Sequence, residues 1–278
     1  MNVVQIVNQK IIEQLQQGVI PWTKPWIGPH GAYSFNSGKP YSILNQMLLS
    51  LPGAYATYDQ WVKHGGQVRR GEKGHFIVFW KIQESQTIDE NGNEKVDSRP
   101  VLRYYRIFHS SQVDGISVDS EVRAPLPPDP IEAAETLIST YISRENLSYK
   151  EDKMSNQAYY SPQKDQVVIP DRNFFKTSSG LYGTIFHELA HSTGAENRLN
   201  RPGAKNISFG SREYALEELI AELTSSYLLE SLGICTDDST KNSAAYLDSW
   251  IKAINENEQM IIRSGPAAER AARFIIGS

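Results

Sequence analysis

Two histidines separated by three residues, with a glutamate directly after the first, place the strongest constraint on how this chain folds. They lie in TIFHELAHSTG, as His187, Glu188 and His191. On an α-helix, residues four apart share one face, so both imidazoles can reach a single metal ion. Glu188 lies about 100° further round the helix and can reach water on that ion without binding the ion itself. The pattern therefore predicts a helix with two metal ligands and a catalytic base.

A tetrahedral catalytic zinc site uses a third protein ligand, and the next strong helix offers candidates. The only cysteine, Cys235, excludes a cysteine-ligated site. Glu218 and Glu222 lie four apart on one helix face, so one can bind the ion while the other orients a ligand histidine. Glu217 is a further candidate ligand, and Tyr214 is a candidate for stabilising an oxyanion. The alternative is that these glutamates are solvated. Two imidazoles and one carboxylate favour one Zn²⁺ ion, with Mn²⁺ or Co²⁺ as alternatives.

Charge is distributed unevenly along the chain. Residues 1–82 contain eight Lys and Arg against three Asp and Glu, a balance of +5. Because the net charge of the chain is −4, the remaining residues carry −9. A basic part joined to an acidic part indicates two separate tasks. The N-terminus lacks the basic start and apolar run of a signal peptide, and no stretch reaches the roughly 18 apolar residues of a membrane span. We therefore expect a cytoplasmic protein with no membrane contact.

Hydrophobic periodicity predicts mixed secondary structure in the first part of the chain. Apolar residues at helical spacing predict a helix over 2–17. Two strands are predicted at 75–82 and 101–109, with an Asn-Gly turn signal between them. The Pro-rich, aperiodic stretch 113–130 is predicted to be a linker.

The second part of the chain has a mainly helical pattern. A short hairpin is predicted at 158–170 and a strong helix at 211–233, followed by two helices separated at Gly265-Pro266. The fold class expected is α+β. An N-terminal mixed α/β domain with a small antiparallel sheet spans 1–112, and a mainly helical domain with a short β-hairpin spans 131–278. We expect the metal ligands to belong to a separate core beyond the linker.

Aromatic residues interleaved with cations predict a surface for single-stranded DNA in the first part. Four of the five tryptophans lie there. Single-stranded nucleic acid is held by aromatic faces that stack bases and by cations that follow the phosphates. For each aromatic residue the alternative is core packing, which fits least well in the Pro-bounded loop PWTKPW. Nothing resembles a recognition helix, so we expect no sequence specificity. The predicted DNA contacts are Trp22, Lys24, Trp26, Lys39, Tyr41, Arg69, Arg70 and Lys73.

Several motifs together resemble one known family. HELAHSTG, NRLNR and YALEELIAEL resemble the zincin-like metallopeptidase domain of ArdC-type antirestriction proteins. IPWTKPW, FNSGKPYSILNQMLLSL, GGQVRRGEKGHFIVFWK and IFHSSQVDGI resemble the N-terminal domain of the same family. Such proteins are similar to the N-terminal part of TraC-type plasmid primases. The resemblance implies binding of single-stranded DNA and protection of incoming plasmid DNA from restriction during conjugation.

The resemblance also implies roles for individual residues. It makes His187 and His191 metal ligands and Glu188 the catalytic base of a zinc-dependent metallopeptidase. The spacing of gluzincin-type sites makes Glu218 the third ligand and Glu222 the residue that orients a ligand. One alternative is a metalloprotease whose N-terminal domain recognises a protein, such as a regulator or a restriction subunit. Another is a DNA-coating protein in which the metal only stabilises the C-terminal fold.

Overall fold

The computed structural model describes residues 2–24, 29, 31–88, 94–118, 129–202, 211–234 and 244–278. These residues form eight α-helices and nine β-strands. The helices are α1 (Val3–Gln16), α2 (Ile43–Leu48), α3 (Tyr58–Lys63), α4 (Pro130–Glu145), α5 (Ser178–Ser192), α6 (Arg212–Ser231), α7 (Ala244–Glu256) and α8 (Met260–Ile276). The strands are β1 (Ala32–Ser34), β2 (Gly53–Ala56), β3 (Gln67–Val68), β4 (His75–Ile88), β5 (Glu94–His109), β6 (Val113–Asp114), β7 (Ser148–Asp152), β8 (Tyr159–Ser161) and β9 (Gln166–Pro170). None of the described helices has the length and apolar character needed to cross a bilayer.

A four-stranded sheet in the order β1-β2-β5-β4 organises the N-terminal part. Its main feature is the antiparallel ladder of β4 and β5, which runs from the pair His75–Ile107 to the pair Ile88–Glu94. The ladder continues well beyond the two strands that hydrophobicity predicted. On the outer edge of β4, the side chain of Asn45 accepts from the backbone N–H of Val78 and donates to its carbonyl. A side chain of helix α2 thereby satisfies the backbone hydrogen-bonding groups of the edge strand at Val78.

One hydrophobic core joins the N-terminal residues to the C-terminal helices. Helix α1 begins with a capping box at Asn2 and buries Val7, Ile11 and Leu15 on one face. These side chains belong to the same cluster of buried residues as Leu219 and Leu223 of α6. The expectation that the metal ligands belong to a separate core is therefore wrong for α6, the helix that carries Glu218. The apolar faces of α1 and α2 need a partner, and α6, α7 and α8 provide it.

The domain boundaries at 112 and 131 stay a prediction. The first residues of the predicted linker form β6, which pairs with β3 in a two-stranded sheet. Residues 119–128 lie outside the described residues. After them, Asp129 caps α4 by accepting from the backbone N–H groups of Ile131 and Glu132, as its sequence predicted.

The C-terminal part contains a three-stranded sheet in the order β7-β9-β8. The predicted hairpin corresponds to the antiparallel pair β8 and β9, and β7 adds a parallel strand that the sequence did not predict. Helices α4 and α5 pack with this sheet in a second core that contains Val167, Ile169 and Phe186. The α+β class is confirmed, with strands concentrated in the N-terminal part and helices in the C-terminal part.

The break predicted at Gly265-Pro266 is wrong, because α8 continues through both residues. The chain instead breaks between α7 and α8, where the side chain of Asn8 donates to the carbonyl of Glu258. A Cβ added at Gly265 would lie 3.1 Å from that of Leu44, so α2 and α8 are in close contact there. This tertiary packing outweighs the local cost of a proline within a helix.

Candidate metal centre

The histidine-bearing helix α5 is fixed at its start and along one apolar face. The Thr177 hydroxyl accepts from the backbone N–H of Gly180 and caps the helix. Ile185, Phe186 and Leu189 are buried in the C-terminal core. Burial of this face fixes the rotation of the helix and directs the two histidines toward α6.

Helices α5 and α6 approach each other closely, and this approach determines which residues meet. A Cβ added at Gly183 would lie 3.4 Å from the Leu229 side chain. Beside it, the Ser225 hydroxyl donates to the carbonyl of Gly183 at 2.8 Å. Glu218 lies two turns from Ser225 on α6, while His187 lies one turn from Gly183 on α5. The antiparallel packing therefore places Glu218 opposite the histidine pair.

The three residues predicted as metal ligands come together at this point. The Nε2 atoms of His187 and His191 lie 3.0 Å apart. The Glu218 carboxylate lies 3.5 Å from the Nε2 of His187 and 3.6 Å from that of His191. Tetrahedral zinc with bonds of roughly 2.05 Å separates neighbouring ligand atoms by about 3.3 Å. Two imidazoles and a carboxylate at these distances fit one divalent cation, and among the described residues they form the one cluster that does.

Glu188 is buried next to this cluster. Burial raises the pKa of its carboxyl group, while the histidines and the backbone N–H of Tyr160 act in the opposite direction. Glu188 lies on the same helix as His187 and His191, two members of the cluster. The geometry fits a base held beside the metal without binding it, and the role stays a prediction.

Glu217, one of the candidate ligands, has a different environment. Its carboxylate accepts from Nε of Arg201 at 3.0 Å and lies 3.5 Å from Nδ1 of His191. Arg201 also donates to the carbonyl of Ala190 and to the hydroxyl of Thr193. Burial alone would raise the pKa of Glu217, but His191 and Arg201 outweigh it and hold the pKa below its ordinary value. Glu217 thus faces the outer nitrogen of a predicted ligand, where it can orient the ring.

Glu222 and Tyr214 lie on either side of Glu218 along α6. The Tyr246 hydroxyl lies 3.5 Å from Glu222. Burial alone would lower the pKa of His187, but the contact with Glu218 and the charges of Glu222 and Glu188 outweigh it and raise that pKa. Burial and then the charge of Glu218 raise the pKa of Tyr214 to about 12. The roles of Glu222 in orienting a ligand and of Tyr214 at an oxyanion stay predictions.

Sequence reasoning missed Arg201. Arg201 is the last residue of NRLNR, the segment that follows the histidine helix. A cation shortly after a metal-binding helix is a candidate partner for a buried carboxylate, and Glu217 was the available one.

Two of the predicted DNA contacts, Trp22 and Lys24, make contacts within the fold. Trp22 is fully buried, with its ring 5.2 Å from that of Trp250 in an edge-to-face contact. The ammonium group of Lys24 donates to the carbonyls of Met47 and Leu49 at the end of α2. Burial lowers its pKa to about 8. A buried indole cannot stack on a base, so the prediction for Trp22 is wrong, while the DNA contact of the partly buried Lys24 stays a prediction. Trp26 lies outside the described residues.

The remaining predicted DNA contacts lie at the surface in different settings. Lys39, Arg70 and Lys73 are exposed. Arg69 is exposed but forms ion pairs with Glu72 at 2.9 Å and Asp114 at 3.2 Å. Two carboxylates therefore offset its charge, which weakens the case for a phosphate contact. Tyr41 is half-buried, and its ring lies 6.3 Å from that of Phe79 on the long ladder.

Two family models match the chain, in the order that its motifs suggested. Residues 1–108 match the N-terminal domain of anti-restriction factor ArdC. Residues 137–268 match a zincin-like metallopeptidase model, and this range contains the whole histidine and glutamate cluster.

Solved structures of one protein resemble the chain along its whole length. The metal-free crystal structure of antirestriction ArdC protein from R388 plasmid has a TM-score of 0.74 and 30% identity, covering 99% of this chain and 97% of that one. The Mn(II)-bound structure of the same protein has a TM-score of 0.72 and 28% identity over the same shares.

Two further proteins are similar in sequence to almost the whole chain. A DNA primase TraC of Escherichia coli is 35% identical over 97% of this chain, which spans only 26% of the primase. An uncharacterized protein, y4eC, of Sinorhizobium fredii is 29% identical, with 97% of this chain and 90% of that protein covered.

Proposed function

The chain belongs to the ArdC antirestriction family, and from this premise we propose that it protects incoming DNA from restriction during conjugation. It acts by binding single-stranded DNA without sequence preference. A C-terminal metal-dependent peptidase site, with His187, His191 and Glu218 as ligands and Glu188 as base, forms its second active part. Its place of action is the cytoplasm, where entering DNA meets restriction enzymes.

The observation that carries the peptidase proposal is the convergence of four side chains from two helices. Three candidate ligand atoms lie within 4.8 Å of one another, and the carboxyl group of Glu188 is buried beside them. A site that only stabilised the fold would need no second carboxyl group at this position. Such a group is otherwise costly to bury.

Each residue has a defined task in this proposal. His187, His191 and Glu218 would hold a divalent ion, with zinc favoured by the ligand set, and the ion would act as a Lewis acid. Glu188 would serve as the general base for the attacking water and then as the general acid that protonates the leaving amine. Tyr214 retains its proton at neutral pH and can donate to the oxygen that becomes negative. Glu217, held by Arg201, fixes the orientation of His191.

The substrate proposed for this site is a peptide segment in extended conformation. Strand β8 is one of the two outer strands of the three-stranded sheet, and its residue Tyr160 lies next to Glu188. An outer strand can pair with an added chain through backbone hydrogen bonds. A protein bound along β8 would bring its own backbone close to the proposed base.

The DNA-binding part of the proposal rests on the N-terminal residues. They match the ArdC N-terminal model, and the chain resembles part of a DNA primase. The basic balance of residues 1–82 supports a polyanionic partner.

One experiment tests the two active parts separately. Glu188→Gln should keep one equivalent of metal, because the residue is not a ligand, and should lose hydrolysis of a peptide library. The same variant should retain the affinity of the wild type for a single-stranded oligonucleotide. If the variant protects a conjugating plasmid as well as the wild type and neither cleaves peptides, the metal only stabilises the fold and the peptidase proposal is wrong.

A further inference from the structure

The two faces of the β4–β5 ladder differ in chemistry. Directly opposite residues of an antiparallel pair, and residues two apart on one strand, share a face. One face, here called the Phe79 face, begins beside Tyr41 and continues outward along the ladder. It comprises Tyr41, Phe79, Lys81, Arg99, Arg103 and Tyr105.

Aromatic rings form a row at the inner end of the Phe79 face. The ring of Phe79 lies 6.3 Å from that of Tyr41 and 5.9 Å from that of Tyr105. Phe79 is 45% exposed and Tyr105 42% exposed, so the row is not closed off by the core. Rings of this size in water offer flat surfaces on which unpaired bases can stack.

Cations follow the aromatic row. Arg103 lies directly opposite Phe79, Lys81 is the next residue of β4 on this face, and Arg99 lies one step further along β5. All three are exposed. At odd-numbered positions of 75–84 and 98–109, which form this face, the sequence contains no aspartate or glutamate. Over these positions the charge of the face is therefore positive, which matches a phosphate backbone.

The opposite face is a poorer match for DNA. Val78 and Leu102 on that face are buried in the core shared with the C-terminal helices. Lys10 of α1 lies over the ring of Phe76, with its ammonium 5.9 Å from the ring centre. The exposed aromatic residues Trp80 and Tyr104 remain there, but Glu84 lies on the same face.

We infer that the Phe79 face is the surface that binds single-stranded DNA, with bases stacked on Phe79 and Tyr105 and phosphates held by Lys81, Arg99 and Arg103. The inference rests on the proposed function and locates its DNA site. It assigns the main contact to the ladder instead of the PWTKPW loop and the basic turn at 69–73. Contacts of this kind carry little sequence information.

The test compares variants of the full chain in binding to a labelled single-stranded oligonucleotide over a range of salt concentrations. Lys81→Gln, Arg99→Gln and Arg103→Gln together should weaken binding and reduce the salt slope by about 2, at roughly 0.7 per phosphate contact. A matched variant with Arg69, Arg70 and Lys73 each changed to glutamine loses three charges elsewhere. This matched variant should change the salt slope by less than half as much as the variant of Lys81, Arg99 and Arg103 does.

A second pair of variants tests stacking. Phe79→Leu with Tyr105→Leu should weaken binding about tenfold or more, since each stacked base contributes roughly 1–3 kcal/mol. Trp80→Leu with Tyr104→Leu removes two somewhat more exposed rings from the opposite face, and this variant should bind within about twofold of the wild type. Thermal unfolding and metal content of all variants confirm that the fold is intact.

The outcomes separate the inference from the proposed function. If the wild type binds DNA and both Phe79-face variants bind equally well with an unchanged salt slope, the inference is wrong while the function stands. If the wild type does not bind single-stranded DNA at all, the proposed function fails and the inference fails with it. Selective loss in the Phe79-face variants supports both.

Discussion

The carboxylate of Glu217 lies 3.5 Å from Nδ1 of His191, on the far side of the imidazole from the Nε2 atom that faces His187. A ligand histidine is commonly oriented through a contact of its outer nitrogen with a carboxylate. Here Arg201 holds that carboxylate in turn. The loop after the histidine helix therefore contributes to the geometry of the cluster without reaching it.

Removal of this contact should weaken metal binding. Glu217→Gln should lower metal affinity by about 10–100-fold, as loss of such an outer contact typically does. The variant also leaves the charge of Arg201 buried without its partner, which costs about 3–5 kcal/mol of folding free energy. Metal titration and chemical denaturation measure the two effects.

A double variant separates orientation from stability. Glu217→Leu with Arg201→Met removes both buried charges and should recover most of the lost stability. Its metal affinity should stay as low as that of Glu217→Gln. Full recovery of metal affinity in the double variant would mean that Glu217 acts only through the fold.

The carboxylates of α6 should differ in their effect on metal content. Glu218→Ala removes a proposed ligand and should reduce bound metal to well below one equivalent after dialysis. Glu222→Ala should retain nearly a full equivalent, with an affinity lowered about 10–100-fold at most. Metal analysis of the dialysed proteins measures this, and the reverse order would show that ligand and orienting residue have been exchanged.

Much of this cluster could be predicted from the sequence, because helical spacing alone brings residues four apart together. The pairing of His187 and His191 follows from that rule, and the resemblance to the ArdC family indicates Glu218 as the third ligand. The task of Glu217 could not be predicted, since it depends on Arg201 from a loop and on the close packing of two helices at Gly183. Tertiary contacts of this kind leave no periodic signal.

The N-terminal part was harder to predict for a related reason. Trp22 lies beside prolines in a loop-like segment, yet it is buried against Trp250 from the other end of the chain. The outer half of the β4–β5 ladder has a polar sequence, so it lacks the alternation by which buried strands are identified.

Trp22 should contribute to stability across the whole molecule. Trp22→Ala should lower the free energy of unfolding by about 3–5 kcal/mol, as expected for a large buried side chain. Because the core is shared, the N-terminal and C-terminal parts should unfold together in denaturation followed by fluorescence and by circular dichroism. Trp80→Ala, at a residue that is 52% exposed, is the control and should change stability far less. Two separate transitions in the wild type would contradict the shared core.

Lys24 should make stability depend on pH in the alkaline range. Burial lowers its pKa from 10.5 to about 8, so between these values the unfolded chain holds a proton that the folded chain has released. Stability from this group should therefore rise as pH increases from 8 to 10.5, by up to about 3 kcal/mol, and should be independent of pH below 8. The measurement is the difference in unfolding free energy between wild type and Lys24→Met across that range. A difference that stays constant with pH would show that Lys24 titrates normally.

The location of a bound divalent ion tests the central claim most directly. Anomalous scattering from crystals of the full chain grown with Zn²⁺ or Mn²⁺ locates the ion without reference to activity. We predict one strong peak at about 2.0–2.2 Å from Nε2 of His187, Nε2 of His191 and a carboxylate oxygen of Glu218. A peak bound by Glu217 or Glu222 in place of Glu218, or no peak between the two histidines, would contradict the account.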